Sequence, residues 1–322
     1  MTTEERTGYL SPLYAASLAE FGYPVELPRS RAWVLKRPVG VADLDDAIGI
    51  YPRLTCEDWT GLLADIEALS QSIVCLSFVT DVFTPLSLSS LTDTCDTAFE
   101  YKTHHLVDFE SFREETVSRG ARYRARRGLK AVRVDLCDKP LDYLDDWVAL
   151  YEQLIARHSI TGIQRFSRLS FERQFLVPGL LMFRATHAGQ TVGIYLVYIA
   201  GDVAYYHLAA YNETGYSSFA SYALQWTVLE YLKTRVRWLD LGAAPGMKDT
   251  TSDGLSRFKR AWANAERRAI FCGKICDREA YTMLCKTTNT THESFFPAYR
   301  SGGGFTSQSQ SESPTMNEEV FP

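Results

Sequence analysis

The chain has 322 residues, of which 46% are apolar and 23% charged, and a formal net charge of −5. Such a composition is ordinary for a soluble globular protein with a sizeable core, in one large or two compact domains. The negative balance excludes bulk attraction for nucleic acid, so any such binding must use a local patch.

The opening MTTEERTG lacks the basic and apolar regions of a signal peptide. The longest apolar runs, such as IYLVYIA (194–200), are far too short to cross a bilayer. Seven cysteines, an odd number, are scattered without a C-x-x-C pair, and Cys272 and Cys276 lack nearby His or Cys partners for zinc. A cytoplasmic protein with reduced thiols, no metal, no cofactor and no membrane association is expected.

Residues 9–21 read as a short amphipathic helix and 22–39 as a β-hairpin. A helix over 59–69 precedes an apolar strand at 72–79, and the Ser/Thr/Pro-rich stretch 84–97 reads as a loop. A strand at 103–109 leads into a basic helix over 110–130, a strand at 131–136 and a long helix over 141–158. Three strands follow within 179–211, joined by the turns HAGQ and AGD. Then come a helix at 219–235, a strand at 236–242, a helix at 254–262 and a strand at 267–275. From Ser301 the chain is too polar to offset the entropy of ordering, and 301–322 is expected to be a disordered tail. The order of elements predicts an α+β (mixed α/β) fold, not strict βαβ alternation.

LDLGAAPGMKD (239–249) looks like the glycine-rich turn of a methyltransferase. That turn closes the first strand of such a sheet and runs directly into an apolar helix. Here only 76 residues follow Gly246, and the next segment is the polar MKDTTSDG. The methyltransferase assignment therefore fails on position. A tight loop without a ligand remains the plain alternative.

Taken with its neighbours, the segment resembles the FemABX family of aminoacyl-tRNA-dependent peptidyltransferases, within the GNAT superfamily. The family pattern is a strand ending in D-L-G-G, a polar stretch, and a helix carrying F-K before an aromatic. The matching residues are Asp240, Leu241, Gly242, Ala243, Phe258, Lys259 and Trp262. THHLVDF with RGARYRARRGLKAVRV, and TGIQRFSRLSFERQF (161–175), resemble the family's strand into a basic helix and its loop before the meander. The chain departs from the pattern at Ala243, at Pro245–Gly246, and at Tyr206-His207-Leu208, where the family has Y-x-Y.

The resemblance implies tandem GNAT-like domains, a degenerate one over 1–115 and one carrying the transfer cleft over 116–300. It implies transfer of an aminoacyl group from aminoacyl-tRNA, as co-substrate, to a small amine or peptide acceptor, forming a peptide bond in natural-product or cell-wall precursor biosynthesis. Lys259 matches the functional lysine, with Phe258 packed beside it. The plain alternative is a solvated helix lysine among Arg257 and Arg260.

RGARYRARRGLKAVR (119–133) holds seven basic residues and no acid. Arg119, Arg122, Arg126 and Lys130 share a helix face; with Arg127 they form the expected tRNA-phosphate patch, salt-sensitive and blind to base sequence. Arg165 and Arg168 are placed on the acceptor's carboxylate or phosphate as planar forks, with Tyr206 lining the cleft. Loop salt bridges and a core tyrosine are the plain alternatives. His104, His105, His158 and His187 show no companion at catalytic spacing, and Asp240 reads as a cap for the turn after its strand. A second enzyme class, the acyl-CoA-dependent GNAT N-acyltransferases, needs [RQ]-x-x-G-x-[GA] at a helix N-terminus. YNETGYSSFASYAL (211–224) lacks it. A catalytically dead RNA-binding scaffold is the third reading.

Overall fold

The computed structural model describes residues 5–41, 43–243 and 254–303. In chain order its elements begin with α1 (Pro12–Ser17), β1 (Tyr23–Leu27), β2 (Ala32–Pro38), β3 (Asp45–Gly49), α2 (Leu62–Leu69), β4 (Cys75–Val79) and α3 (Leu88–Thr92). The middle holds β5 (Thr97–Asp108), α4 (Arg119–Ala131), β6 (Arg133–Leu136), α5 (Leu144–His158), α6 (Arg168–Gln174), β7 (Leu180–His187), β8 (Gln190–Ala200) and β9 (Val203–Tyr211). It closes with α7 (Glu213–Ser217), α8 (Ala220–Leu232), β10 (Trp238–Asp240), α9 (Gly254–Arg260), β11 (Ala265–Ile275) and α10 (Arg278–Thr287). The α+β class is as expected.

Several expectations need correction. β3, with two aspartates in five residues, lies in a stretch where the sequence reading placed no element. Asp46 is fully buried there because Arg37 and Arg300 pair with its carboxylate at 3.0 and 2.5 Å, and Tyr299 donates to it at 2.9 Å. The basic helix starts at Arg119, not 110, because Ser118 caps it by accepting from the Ala121 amide. Part of the expected loop 161–175 is α6, whose cap Ser167 accepts from the Ser170 amide. The 84–97 loop contains α3, and α10 had no counterpart in the sequence reading. Residues 304–322 of the expected tail lie outside the described residues.

The chain forms two compact units, each built from two separated segments: Met1–Ser17 with Thr103–Arg267, and Leu18–Lys102 with the chain from Arg268 onward. They differ from the contiguous halves 1–115 and 116–300. The N-terminal residues join the first unit because Tyr9 and Tyr14 pack edge-on against Tyr198. The chain after Arg268 joins the second because β11 pairs antiparallel with β4, Phe271 opposite Val79 to Ile275 opposite Cys75.

In the second unit the strand order is β1-β2-β3-β4-β11: an antiparallel meander, a helical crossover through α2, and a strand β4 parallel to β3. In the first it is β6-β7-β8-β9-β10-β5, where the meander β7-β8-β9 is followed by α8 and a strand β10 parallel to β9. In both, an antiparallel strand follows the parallel one. Within the first unit α4 and α8 cover one face, with Val107, Leu239 and Tyr195 beneath them. Helix α4 lies close to α8 because its inner stripe is small: Ala121, Ala125 and Gly128 are buried. A Cβ at Gly128 would stand 2.5 Å from the Phe219 carbonyl oxygen. On the other face Tyr9, Tyr14, Tyr198 and His207 form an aromatic cluster.

Candidate functional site

The parallel ladder between β9 and β10 is short. It runs from Val203 opposite Trp238 to Tyr205 opposite Asp240, and β9 continues to Tyr211 while β10 ends. The chain after Asp240 stays instead with β5: Leu241 donates to the His105 carbonyl at 2.9 Å, and His105 donates to Gly242 at 3.2 Å. β9 and β10 therefore part beyond Tyr205. The parting strands open a wedge at the carboxyl ends of a parallel pair, a position where open α/β sheets take ligands.

Lys259 of α9 reaches this opening. Its Nζ donates to the Ala243 carbonyl at 2.6 Å and lies 5.4 Å from the Tyr206 ring centre. The residue is only 6% exposed, which rejects the solvated helix lysine. Taking an ammonium out of water costs several kcal/mol. One charge-assisted hydrogen bond returns roughly 1.5–3 kcal/mol and a desolvated cation–π contact about 2. Gly242 makes the approach possible: its φ is +77°, and a Cβ there would meet Lys259 Nζ at 3.3 Å. Phe258 packs against Tyr222 at 5.1 Å and Trp262 at 5.9 Å, which anchors the turn of α9 carrying the lysine. Tyr206 faces Tyr195 at 4.8 Å, and burial pushes its phenol pKa up, so it is an un-ionised wall of the opening.

Two buried histidines flank the same strand end. His104 Nδ1 lies 3.0 and 2.9 Å from the two oxygens of Asp240, which is completely buried. Asp240 also accepts from the Gly242 amide at 2.6 Å, the turn cap expected of it. His105, on the opposite strand face, has Nδ1 3.0 Å from Glu266. Burial depresses its pKa; Glu266 opposes that, and the Lys259 and Arg260 charges add to it. The sequence reading missed both pairs. Their members lie 136 and 161 residues apart, and no local spacing reports such a contact.

The basic helix divides its cations between two flanks. Arg119, Arg126 and Lys130 are exposed opposite the buried stripe, with Arg122 half-buried beside them, and Arg126 pairs with Glu114 at 3.1 Å. The flank towards α8 carries Arg124, 5.5 Å from the Tyr222 ring, and Arg127, 5.0 Å from Phe219. Tyr222 is the ring that touches Phe258, so Arg124, not singled out before, is linked through it to the turn of α9 that carries Lys259. The Ser118 amide donates to the Ala261 carbonyl at 2.8 Å, which ties the start of α4 to the end of α9. Arg165 is exposed beside Phe166, whose ring lies against Tyr151, Phe171 and His207. Arg168 is held by Asp145 at 2.6 Å and Glu172 at 3.3 Å. The structure does not bring it to the strand opening; its fork already faces two carboxylates.

The family comparison falls on this unit. Residues 111–260 match the acetyltransferase (GNAT) domain. Solved structures extend the likeness to the whole fold. FemX is 13% identical with a TM-score of 0.63, the alignment covering 87% of this chain and 95% of FemX. L-PGS from Bacillus licheniformis is 12% identical with a TM-score of 0.55, covering 88% of this chain and 98% of L-PGS. At these identities the agreement is one of fold. Comparison with curated proteins yields no match.

Within the residues that match the GNAT domain, the segment before α8 is not a glycine-rich cradle. Residues 213–217 form α7, with Asn212 capping it from the Gly215 amide at 2.8 Å. Phe219 enters α8 with a φ of +58°. Among the described residues no group of His, Cys, Asp and Glu assembles a metal site, and no helix is long and apolar enough to cross a membrane. All seven cysteines are free thiols, six of them buried. Most of GAAPG and the polar stretch after it, residues 244–253, lie outside the described residues.

Proposed function

We propose that this protein is an acyltransferase that moves an aminoacyl group from aminoacyl-tRNA to an amine, forming a peptide bond. The observation that carries the reading is the buried Lys259 ammonium at the opening between β9 and β10. An aminoacyl ester is already activated. The protein must hold the amine against the ester carbon and stabilise the oxyanion and the leaving ribose oxygen. A compact cation in a low-dielectric opening suits that charge. Phe258 holds α9 against Tyr222, and Tyr206 walls the opening. Arg124 and Arg127 meet the phosphates next to the 3′ end, and the outer stripe Arg119, Arg122, Arg126 and Lys130 meets phosphates further along. Arg165, exposed beside Phe166, is the cation for an acceptor carboxylate. The first compact unit is then the transfer domain and the second its degenerate copy.

The GNAT match favours a second reading, an acyl-CoA-dependent N-acyltransferase. The absent glycine-rich cradle before α8 weighs against it. Pooled charged tRNA or an acyl-CoA, offered with candidate amines with and without ribonuclease, separates the two. Product that survives ribonuclease treatment, or needs the thioester, ends the first reading.

A further inference from the structure

We infer that His104 is the general base of the transfer reaction and that Asp240 is its positioning residue. The inference rests on the acyltransfer reading above but is independent of which donor is used.

The chemistry demands such a group. An amine at neutral pH is largely an ammonium ion, and the adduct formed on attack carries a proton that must leave before the C–N bond is secure. Lys259, a cation, cannot take it. His104 fits on four counts. It is buried, with 7% exposure, on the strand that runs beside the end of β10. Both oxygens of Asp240 face its Nδ1, which fixes the proton on Nδ1 and leaves the lone pair on Nε2. Among the described residues no donor or acceptor meets that Nε2. And the turn that Asp240 caps, through the Gly242 amide, is the one whose Ala243 carbonyl holds Lys259. Two contacts on neighbouring residues, 3.8 Å apart at Cα, keep the Asp240 carboxylate and the Lys259 ammonium within roughly 10 Å of each other.

The register confirms which groups surround the imidazole. Asp240 lies opposite Leu106 on β5 and opposite Tyr205 on β9, so His104, Asp240 and Tyr205 share one strand face. His207 is on that face too, with Nδ1 3.1 Å from the Tyr9 hydroxyl and Nε2 2.9 Å from Gln174 Oε1. Both its nitrogens are engaged, so on this face His104 is the imidazole with a nitrogen left for a proton. Lys259 stands over Tyr206 on the other face, and the end of the β9–β10 ladder lies at Tyr205 opposite Asp240.

The amine, after losing its ammonium proton to solvent, attacks the ester carbonyl carbon through its nitrogen lone pair; the C–N bond forms and the carbonyl π pair moves onto oxygen. His104 Nε2 takes the proton from nitrogen. The bond from carbon to the ribose oxygen then breaks, and His104 returns the proton to that oxygen. With a thioester the leaving atom is sulfur and the proton account is the same.

The test uses the full-length protein with pooled aminoacyl-tRNA and, separately, acetyl-CoA as donors, and glycylglycine and lysine amide as acceptors. His104→Gln, which keeps a side-chain donor for Asp240, is expected to lower kcat about 100-fold or more, with KM changed less than threefold. Added imidazole should restore part of the activity of His104→Ala. Asp240→Asn should lose activity as well, because the proton moves to Nε2. His104→Gln with wild-type kcat, or the same losses in His105→Gln instead, overturns the proposal. If neither donor is turned over by the wild-type protein, the acyltransfer reading fails on its own. The ¹⁵N spectrum of His104 then decides the remainder: a neutral ring protonated at Nδ1, switching to Nε2 in Asp240→Asn, is expected, and a wild-type proton on Nε2 refutes the arrangement.

Discussion

The two compact units carry the same local topology and treat its weak point in opposite ways. Each has an antiparallel meander, a helical crossover and a parallel strand pair. In the first unit the pair β9/β10 ends at Tyr205 opposite Asp240 and opens, with Lys259, Asp240 and His104 buried around the gap. In the second, β3 and β4 pair over Ala47–Leu76 and Ile48–Ser77, and the chain then returns to close the end. Leu54 bridges to Thr80 in the parallel sense and donates to the Val79 carbonyl at 2.7 Å. Phe78 and Leu54 sit against Gly49, where a Cβ would stand 2.6 Å from Phe78 Cβ. A parallel pair that splays exposes backbone groups and needs a ligand or charged side chains to satisfy them; one that is bridged becomes ordinary core. On the proposed function, the contrast would let one fold serve a reactive and a structural role in the same chain.

The sharpest way to break the comparison is Lys259→Ala. Turnover of charged tRNA should fall by about 100- to 1,000-fold, as for loss of one electrostatic stabiliser, while thermal unfolding shows the fold retained. Wild-type turnover in this variant ends the functional half of the contrast. Phe78→Ala tests the other half. It should cost about 3–5 kcal/mol in denaturant unfolding, with kcat per folded molecule unchanged.

Gly242→Ala probes the joint between backbone and lysine. The positive φ should cost about 1–2 kcal/mol, and the new methyl crowds Lys259 Nζ; kcat should drop several-fold in steady-state assays. On the basic helix, Arg124→Ala with Arg127→Ala should weaken binding of charged tRNA and flatten the log–log salt dependence by about 1–2. Arg119→Ala should do less, because its side chain lies on the flank away from Tyr222. An equal effect from both flanks, measured by filter binding across a salt series, dissolves the assignment.

The smallest expected effect is a pH dependence. His105 has a folded pKa below the ordinary imidazole value of 6.5. Its neutral form is favoured in the fold, so its contribution to stability is intact above pH 6.5 and declines as pH falls from there towards the folded value. His105→Gln should show a shallower loss of stability than wild type across that window in urea titrations at pH 7.5, 6.5 and 5.5.

Much of the scaffold was legible because it is local. HAGQ makes its turn with Ala188 at φ +48° and Gly189 at +79°, and the meander it joins lies where the alternation put it. Phe258 and Lys259 fall on a helix beyond a strand, as the resemblance implied. The flank of α4 that faces α8 was not legible. Its inner stripe is Ala and Gly, which hardly registers against the six basic residues of the helix, so the side that packs on α8 could not be read from the segment.

What the sequence determined alone was the set of elements whose hydrogen bonds close within a few residues, together with the cation on α9. Only the tertiary structure decided that β9 and β10 part company after three paired residues, that His104 meets Asp240, and that β3 keeps a buried aspartate. Each of these depends on partners distant in the chain. Their energy comes from desolvation and pairing across the fold, and periodicity along one segment carries no record of it.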